Sequence, residues 1–136
     1  MAVALLSVGL LGLLVFVLGW NVSRVRGSVM HTQAEHEADP KSALRKAVRA
    51  HGNCIEYAPT LALLILALGL RMPLMPVWIA VVMLIAVAAR YVHAAGVLTS
   101  ETIHTANGLK FVGALGTYVT GSILSILLVI HAARLF

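Results

Sequence analysis

Between positions 45 and 59 the chain reads Arg-Lys-Ala-Val-Arg-Ala-His-Gly-Asn-Cys-Ile-Glu-Tyr-Ala-Pro, so charged and hydrogen-bonding side chains stand inside a stretch otherwise composed for lipid. An ionisable group in hydrocarbon is costly unless it is paired or faces a polar cavity, so Arg49, His51, Asn53 and Glu56 mark the candidate site. If the segment is helical, Arg45, Arg49, Gly52 and Glu56 share one stripe and Asn53 lies just beyond its edge. Arg49 and Glu56 are then about 10 Å apart along the axis, a span that suits a small elongated polar ligand better than a single side-chain pair. Gly52 leaves room on that stripe for a ligand or a closely packed helix. A second reading has Glu56 neutralising an arginine of another helix and Asn53 bonding to a neighbouring backbone. Composition does not separate the two.

The elements that position these residues follow from composition. Of 136 residues, 60% are hydrophobic and 11% charged, far from the roughly 25% charged of soluble domains. Mean hydropathy is +0.96. Four nearly uncharged runs, 2–23, 55–70, 72–89 and 111–133, predict membrane-spanning helices. The second reaches the roughly 20 residues needed to span only by including 50–54, which carries the polar cluster into the span. The first run lacks a basic leader and a small-residue cleavage pattern, and is expected to be a retained helix. The expected fold is all-α: a single transmembrane domain over 1–136, with helices at about 2–26, 40–71, 75–97 and 105–134. The segment 27–39 reads as a loop, Asp39-Pro40 as the start of the second helix, and Pro73 and Pro76 as the turn into the third. Pro59 is expected to bend the second helix just past Glu56.

The formal net charge of +5 resides at helix ends, where it sets orientation and attracts anionic groups, so nucleic acid is not an expected partner. Basic residues concentrate in the first and third connections, which places loops 1 and 3 in the cytoplasm. The same side gathers Arg24 and Arg26 at the end of the first span, Arg90 and His93 at the end of the third, and Asn107 and Lys110 at the start of the fourth. Arginines so placed are expected to snorkel towards headgroups. His131 and Arg134 read as termination signals on the other side. Cys54 reads as a small core residue, and the histidines lack ligand spacing, so no metal is expected.

The stretch Arg49-Ala-His51-Gly-Asn53-Cys-Ile-Glu56-Tyr57-Ala-Pro59 resembles the signature of the MAPEG family, membrane-associated proteins of eicosanoid and glutathione metabolism, in the form of its bacterial members. Arg24-Val-Arg26, Arg90-x-x-His93 and Lys110-x-x-Gly113-x-x-x-Thr117 extend the likeness over essentially the whole chain. The resemblance implies a four-helix protomer of a homotrimer in a bacterial inner membrane, with glutathione as cosubstrate bound from the cytoplasm between subunits. It carries glutathione contacts onto Arg24, Arg49, Asn53, Glu56 and His93, and thiolate activation onto Lys110. It implies transferase or peroxidase activity on lipophilic small molecules entering from the bilayer. The chain departs from eukaryotic members at Gly52, Val97 and Lys110, which stand where those members have arginine, tyrosine and arginine. A non-catalytic membrane protein that binds an anionic small molecule or lipid at the same cluster is the alternative.

Overall fold

The computed structural model describes residues 1–72 and 74–135; the turn expected at Pro73 lies outside them. The chain is all-helical: α1 (Ala2–Ser28), α2 (Gln33–Ala38), α3 (Ala43–Arg71), α4 (Val77–Thr99) and α5 (Gly108–Ala133). Four of these, α1, α3, α4 and α5, are long and apolar enough to cross a membrane. The most apolar window of α3 has a mean hydropathy of 1.6 against 2.7 for α1, because α3 carries the polar cluster. Its 29 residues run about 43 Å, longer than the ~30 Å hydrocarbon core, so one end extends into the interface.

Two local outcomes differ from the sequence expectation. The first connection contains α2, and α3 begins at Ala43, not at Asp39-Pro40. Ser42 takes an extended conformation and its Oγ accepts from the Arg45 N–H at 3.0 Å, the geometry of an N-cap, while also donating to the His36 carbonyl. Asp39 instead closes a turn, its Oδ1 accepting from the Lys41 N–H at 2.9 Å. Asp39 is thus taken up in the turn, and the helix is capped by Ser42, whose carbonyl also accepts from the Lys46 N–H at 3.2 Å. At α5, Asn107 caps through Oδ1 and the Leu109 N–H at 2.7 Å.

The connections α1–α3 and α4–α5 lie at one end of the bundle, hereafter the loop end. Ile103 N–H bonds to Pro40 O at 3.0 Å and Lys46 Nζ to Ser100 O at 3.3 Å. Inside, α1 packs chiefly on α3 and α4 on α5, around a core that includes Leu11, Leu18, Cys54, Ile65, Met83 and Leu124. Large apolar side chains such as Phe16 and Trp20 point outward, as expected where lipid is the solvent. The α4–α5 seam is unusually close. A Cβ on Gly113 would stand 2.5 Å from the His93 nitrogen, and one on Gly96 would stand 2.6 Å from the Lys110 nitrogen. Only glycine permits this approach, which fixes His93 against the first turn of α5.

Candidate functional site

The polar stripe of α3 divides into an open part and a sealed part. Arg49 and Glu56 are exposed, and no salt bridge joins either to another described residue. Gly52 lies on the same stripe with nothing within 4 Å of where its Cβ would be. It borders a groove of about 580 Å³ between α1 and α3, into which Ser23, Arg26 and His51 also contribute. That volume lies within the usual range of small-molecule sites, about 300–1,000 Å³. The expected room beside Gly52 is therefore present.

Asn53 belongs to the sealed part. Its Oδ1 accepts from Arg90 Nη2 at 2.8 Å and its backbone carbonyl from the same nitrogen at 3.1 Å. Because Oδ1 faces the guanidinium, the amide NH₂ turns the other way and lies 3.4 Å from Glu56 Oε2. Asn53 is thus bonded inward to a side chain, not to a neighbouring backbone as the second sequence reading had it, and is oriented towards the open carboxylate.

Arg90 departs from the sequence expectation. It does not snorkel but is 1% exposed, one of the largest fully buried side chains. Besides Asn53 it reaches Thr117 Oγ1 at 3.5 Å, and its guanidinium carbon lies 5.2 Å from the centre of the Tyr57 ring. Among the described residues no carboxylate pairs with it and its Nε finds no partner. A buried cation held by neutral acceptors and an aromatic face is tolerable only if those groups are fixed in place. The sequence did carry a signal. Met83, Val87, Arg90, Ala94 and Val97 recur at spacings of three and four, and the buried stripe of α4 passes through all of them. Tyr57, the other residue not assigned a role from sequence, shares a hydroxyl–hydroxyl contact of 3.3 Å with Tyr118, their rings edge-on at 5.7 Å.

His93 stands one turn beyond Arg90, its Nδ1 3.0 Å from the Lys110 carbonyl. A carbonyl only accepts, so Nδ1 is the protonated nitrogen and Nε2 of the neutral ring is left as an acceptor. The Lys110 side chain turns back over the α4–α5 connection, where Nζ donates to the carbonyls of Thr105 at 2.9 Å, Ile103 at 3.2 Å and Thr102 at 3.3 Å. Its three donors are thereby spent on backbone. Arg24 is apart from the rest: exposed on α1, bonded to Asn21 Oδ1 at 3.0 Å and lying 5.9 Å from the Trp20 ring centre. Within one chain the structure thus joins Asn53 to Glu56 directly, links both to α4 and α5 through Arg90, and ties His93 to Lys110 through backbone. Arg24 is joined to none of them among the described residues.

Four helices long and apolar enough to span, with a half-open polar stripe at the loop end, fit a multi-pass membrane protein. The MAPEG family profile matches residues 4–130, and the chain belongs to the MAPEG family. Searches of curated proteins and of solved structures each returned no significant match.

Proposed function

We propose that this protein binds glutathione at the loop end of the bundle and uses it, as a transferase or peroxidase, on lipophilic electrophiles that arrive through the bilayer. The observation that carries the reading is the pair Arg49 and Glu56: opposite charges on one helix face, both exposed, neither in an ion pair with a described residue, beside a groove open at Gly52. Glutathione offers two carboxylates and one ammonium. Arg49 forks a carboxylate, Glu56 receives the ammonium, and the Asn53 amide, held by Arg90, presents its NH₂ between them. His93 offers a ring acceptor on the neighbouring helix. Arg24, isolated on α1, completes the site when supplied by an adjacent copy, which supports a homotrimer with sites between subunits. The excess of basic residues in the two loop-end connections supports placing that end in the cytoplasm of a bacterial inner membrane.

The reacting species is the thiolate, formed more readily where positive potential is fixed nearby. In this reading Lys110 supplies that potential from the position in which the loop carbonyls anchor it, and an apolar electrophile meets the sulfur at the membrane boundary. A second reading, a non-catalytic protein that binds an anionic small molecule at the same stripe, is favoured by one observation: all three Lys110 ammonium donors are already engaged.

Calorimetry with glutathione on detergent-purified protein, beside conjugation to chlorodinitrobenzene, tests both. Binding that weakens about tenfold or more in Arg49→Ala and Glu56→Gln is expected, since hydrogen bonds to charged groups contribute about 1.5–3 kcal/mol. Binding without turnover selects the second reading. No heat of binding and no turnover by the unaltered protein overturns the glutathione assignment.

A further inference from the structure

At the end of the bundle opposite the loops, a concavity of about 260 Å³ lies between the first turn of α4 and the last turns of α5, with Met72, the C-cap of α3, also lining it. Trp78, Ile79, Leu127 and Ile130 give it apolar walls, whereas His131 and Arg134, one helical turn apart at the close of α5, give it a basic rim. Capping of the helix does not account for this pair, because the carbonyls within reach are already taken by backbone. His131 O accepts from the Arg134 N–H at 3.3 Å and Ala132 O from the Leu135 N–H at 3.0 Å. Nor does either side chain form an ion pair with a described residue. The five acidic side chains, Glu35, Glu37, Asp39, Glu56 and Glu101, all stand in the loop-end half of the bundle, while the opposite end holds Arg71, His131 and Arg134.

The position of the groove tells what meets that charge. Trp78 is half-exposed beside it, and tryptophan sits by preference where hydrocarbon gives way to headgroups, so the rim lies at the depth of lipid phosphates. Pro76, the N-cap of α4, makes no side-chain cap, and the positive end of that helix borders the same groove. We propose that the α4–α5 groove is a binding site for an anionic phospholipid: Arg134 forks the phosphate oxygens, His131 donates a ring N–H to them, and the upper part of one acyl chain lies along Ile79, Leu127 and Ile130. A guanidinium matches a phosphate with two parallel hydrogen bonds, and imidazole has an N–H to give in either protonation state. A zwitterionic lipid fits less well, since it brings its own ammonium into an end whose described charged side chains are all positive. A second copy of the chain fits less well for the same reason, because it would set these cations against their like. The site requires only that the long helices cross a bilayer and is independent of the glutathione reading.

The test follows Trp78 fluorescence in full-length Trp20→Phe protein, in which it is the one remaining tryptophan. The protein is placed in phosphatidylcholine nanodiscs that carry a fraction of either phosphatidylglycerol or phosphatidylcholine brominated near the head of one chain, and quenching reports the relative affinity of each lipid beside Trp78. A preference of about tenfold for phosphatidylglycerol is expected, the worth of one hydrogen bond to a charged group. The double substitution His131→Gln, Arg134→Gln is expected to remove it with the melting temperature unchanged, and Arg134→Gln alone, at an exposed position, to remove most of it. Arg71→Gln, which deletes a charge from the same end but outside the groove, is expected to leave it intact. Equal affinities in the unaltered protein overturn the proposal, as does a preference that survives loss of Arg134. A loss as large in Arg71→Gln overturns it in favour of diffuse surface charge. Abolition of the preference by glycerol phosphate in the aqueous phase overturns the lipid in favour of a soluble phosphate compound.

Discussion

Arg49 and Arg90 are the same side chain treated in opposite ways. Arg49 stands exposed on α3 with no ion pair among the described residues, whereas Arg90 is 1% exposed on α4 and bonded to Asn53 and Thr117. The open region keeps charge available to a ligand and contributes little to holding the bundle together. The sealed region spends its charge on joining α3, α4 and α5, and so fixes the base from which the open residues project. In a membrane protein, where apolar burial hardly distinguishes helix from lipid, such hydrogen bonds and close backbone contacts carry much of the helix–helix specificity.

Removing Arg90 breaks this contrast most severely. Arg90→Met preserves much of the volume but strands the Asn53 Oδ1, and an unsatisfied part-buried polar group costs about 1–3 kcal/mol, whereas the Thr117 hydroxyl keeps its bond to the Gly113 carbonyl. A loss of about 1–3 kcal/mol is expected, read as a lowered melting temperature in detergent. Arg90→Lys recovers part of it, since a single ammonium cannot span both partners in the planar geometry of guanidinium. A melting temperature unchanged in Arg90→Met would mean that the sealed region holds nothing.

Gly113→Ala acts on the same region through sterics. The new methyl would stand 2.5 Å from the His93 nitrogen, so α4 and α5 must separate, at about 1–3 kcal/mol. Gly52→Ala is the control from the open region. It meets nothing within 4 Å and is expected to leave stability unchanged while narrowing the groove beside the stripe. Equal destabilisation by the two alanines would erase the distinction between seam and groove. Lys110→Met comes next, at about 1–2 kcal/mol, because it frees three loop carbonyls that water can partly satisfy. Faster amide exchange across 102–107 is the accompanying signature, and a loss of turnover with intact glutathione binding would identify the catalytic role.

Much of this division was legible in the chain, though unevenly. The four spans and the polar stripe of α3 follow from hydropathy and helical period, because both are properties of one segment read by itself. The sealed region is a property of three helices at once. Whether an arginine near a helix end snorkels or turns inward depends on acceptors supplied by its neighbours, here a carbonyl and an amide from α3 and a hydroxyl from α5. Likewise Lys110 has the charge wanted of a thiolate activator, and only the path of the connecting loop reveals that its donors face backbone. The start of α3 was misplaced by a local competition: Asp39 and Ser42 are both good caps, and Asp39 is taken up in the turn over Lys41 while Ser42 caps the helix.

The smallest expected effect on stability belongs to the residues proposed to hold the ligand. Arg49→Ala and Glu56→Gln remove exposed side chains that make no ion pair with a described residue, and the one contact at stake is the 3.4 Å approach of the Asn53 amide to Glu56. Exposed substitutions of this kind stay within about 0.5 kcal/mol. Melting temperatures close to the unaltered protein are therefore expected alongside the tenfold loss of glutathione affinity. The pairing of the two measurements is what matters. A substitution that weakens binding because it loosens the fold lowers both, as Arg90→Met must; one that removes a ligand contact lowers affinity alone. If Glu56→Gln proved as destabilising as Arg90→Met, the carboxylate would be a structural member of the bundle, and the open face of α3 would have no more claim to a ligand than the sealed one.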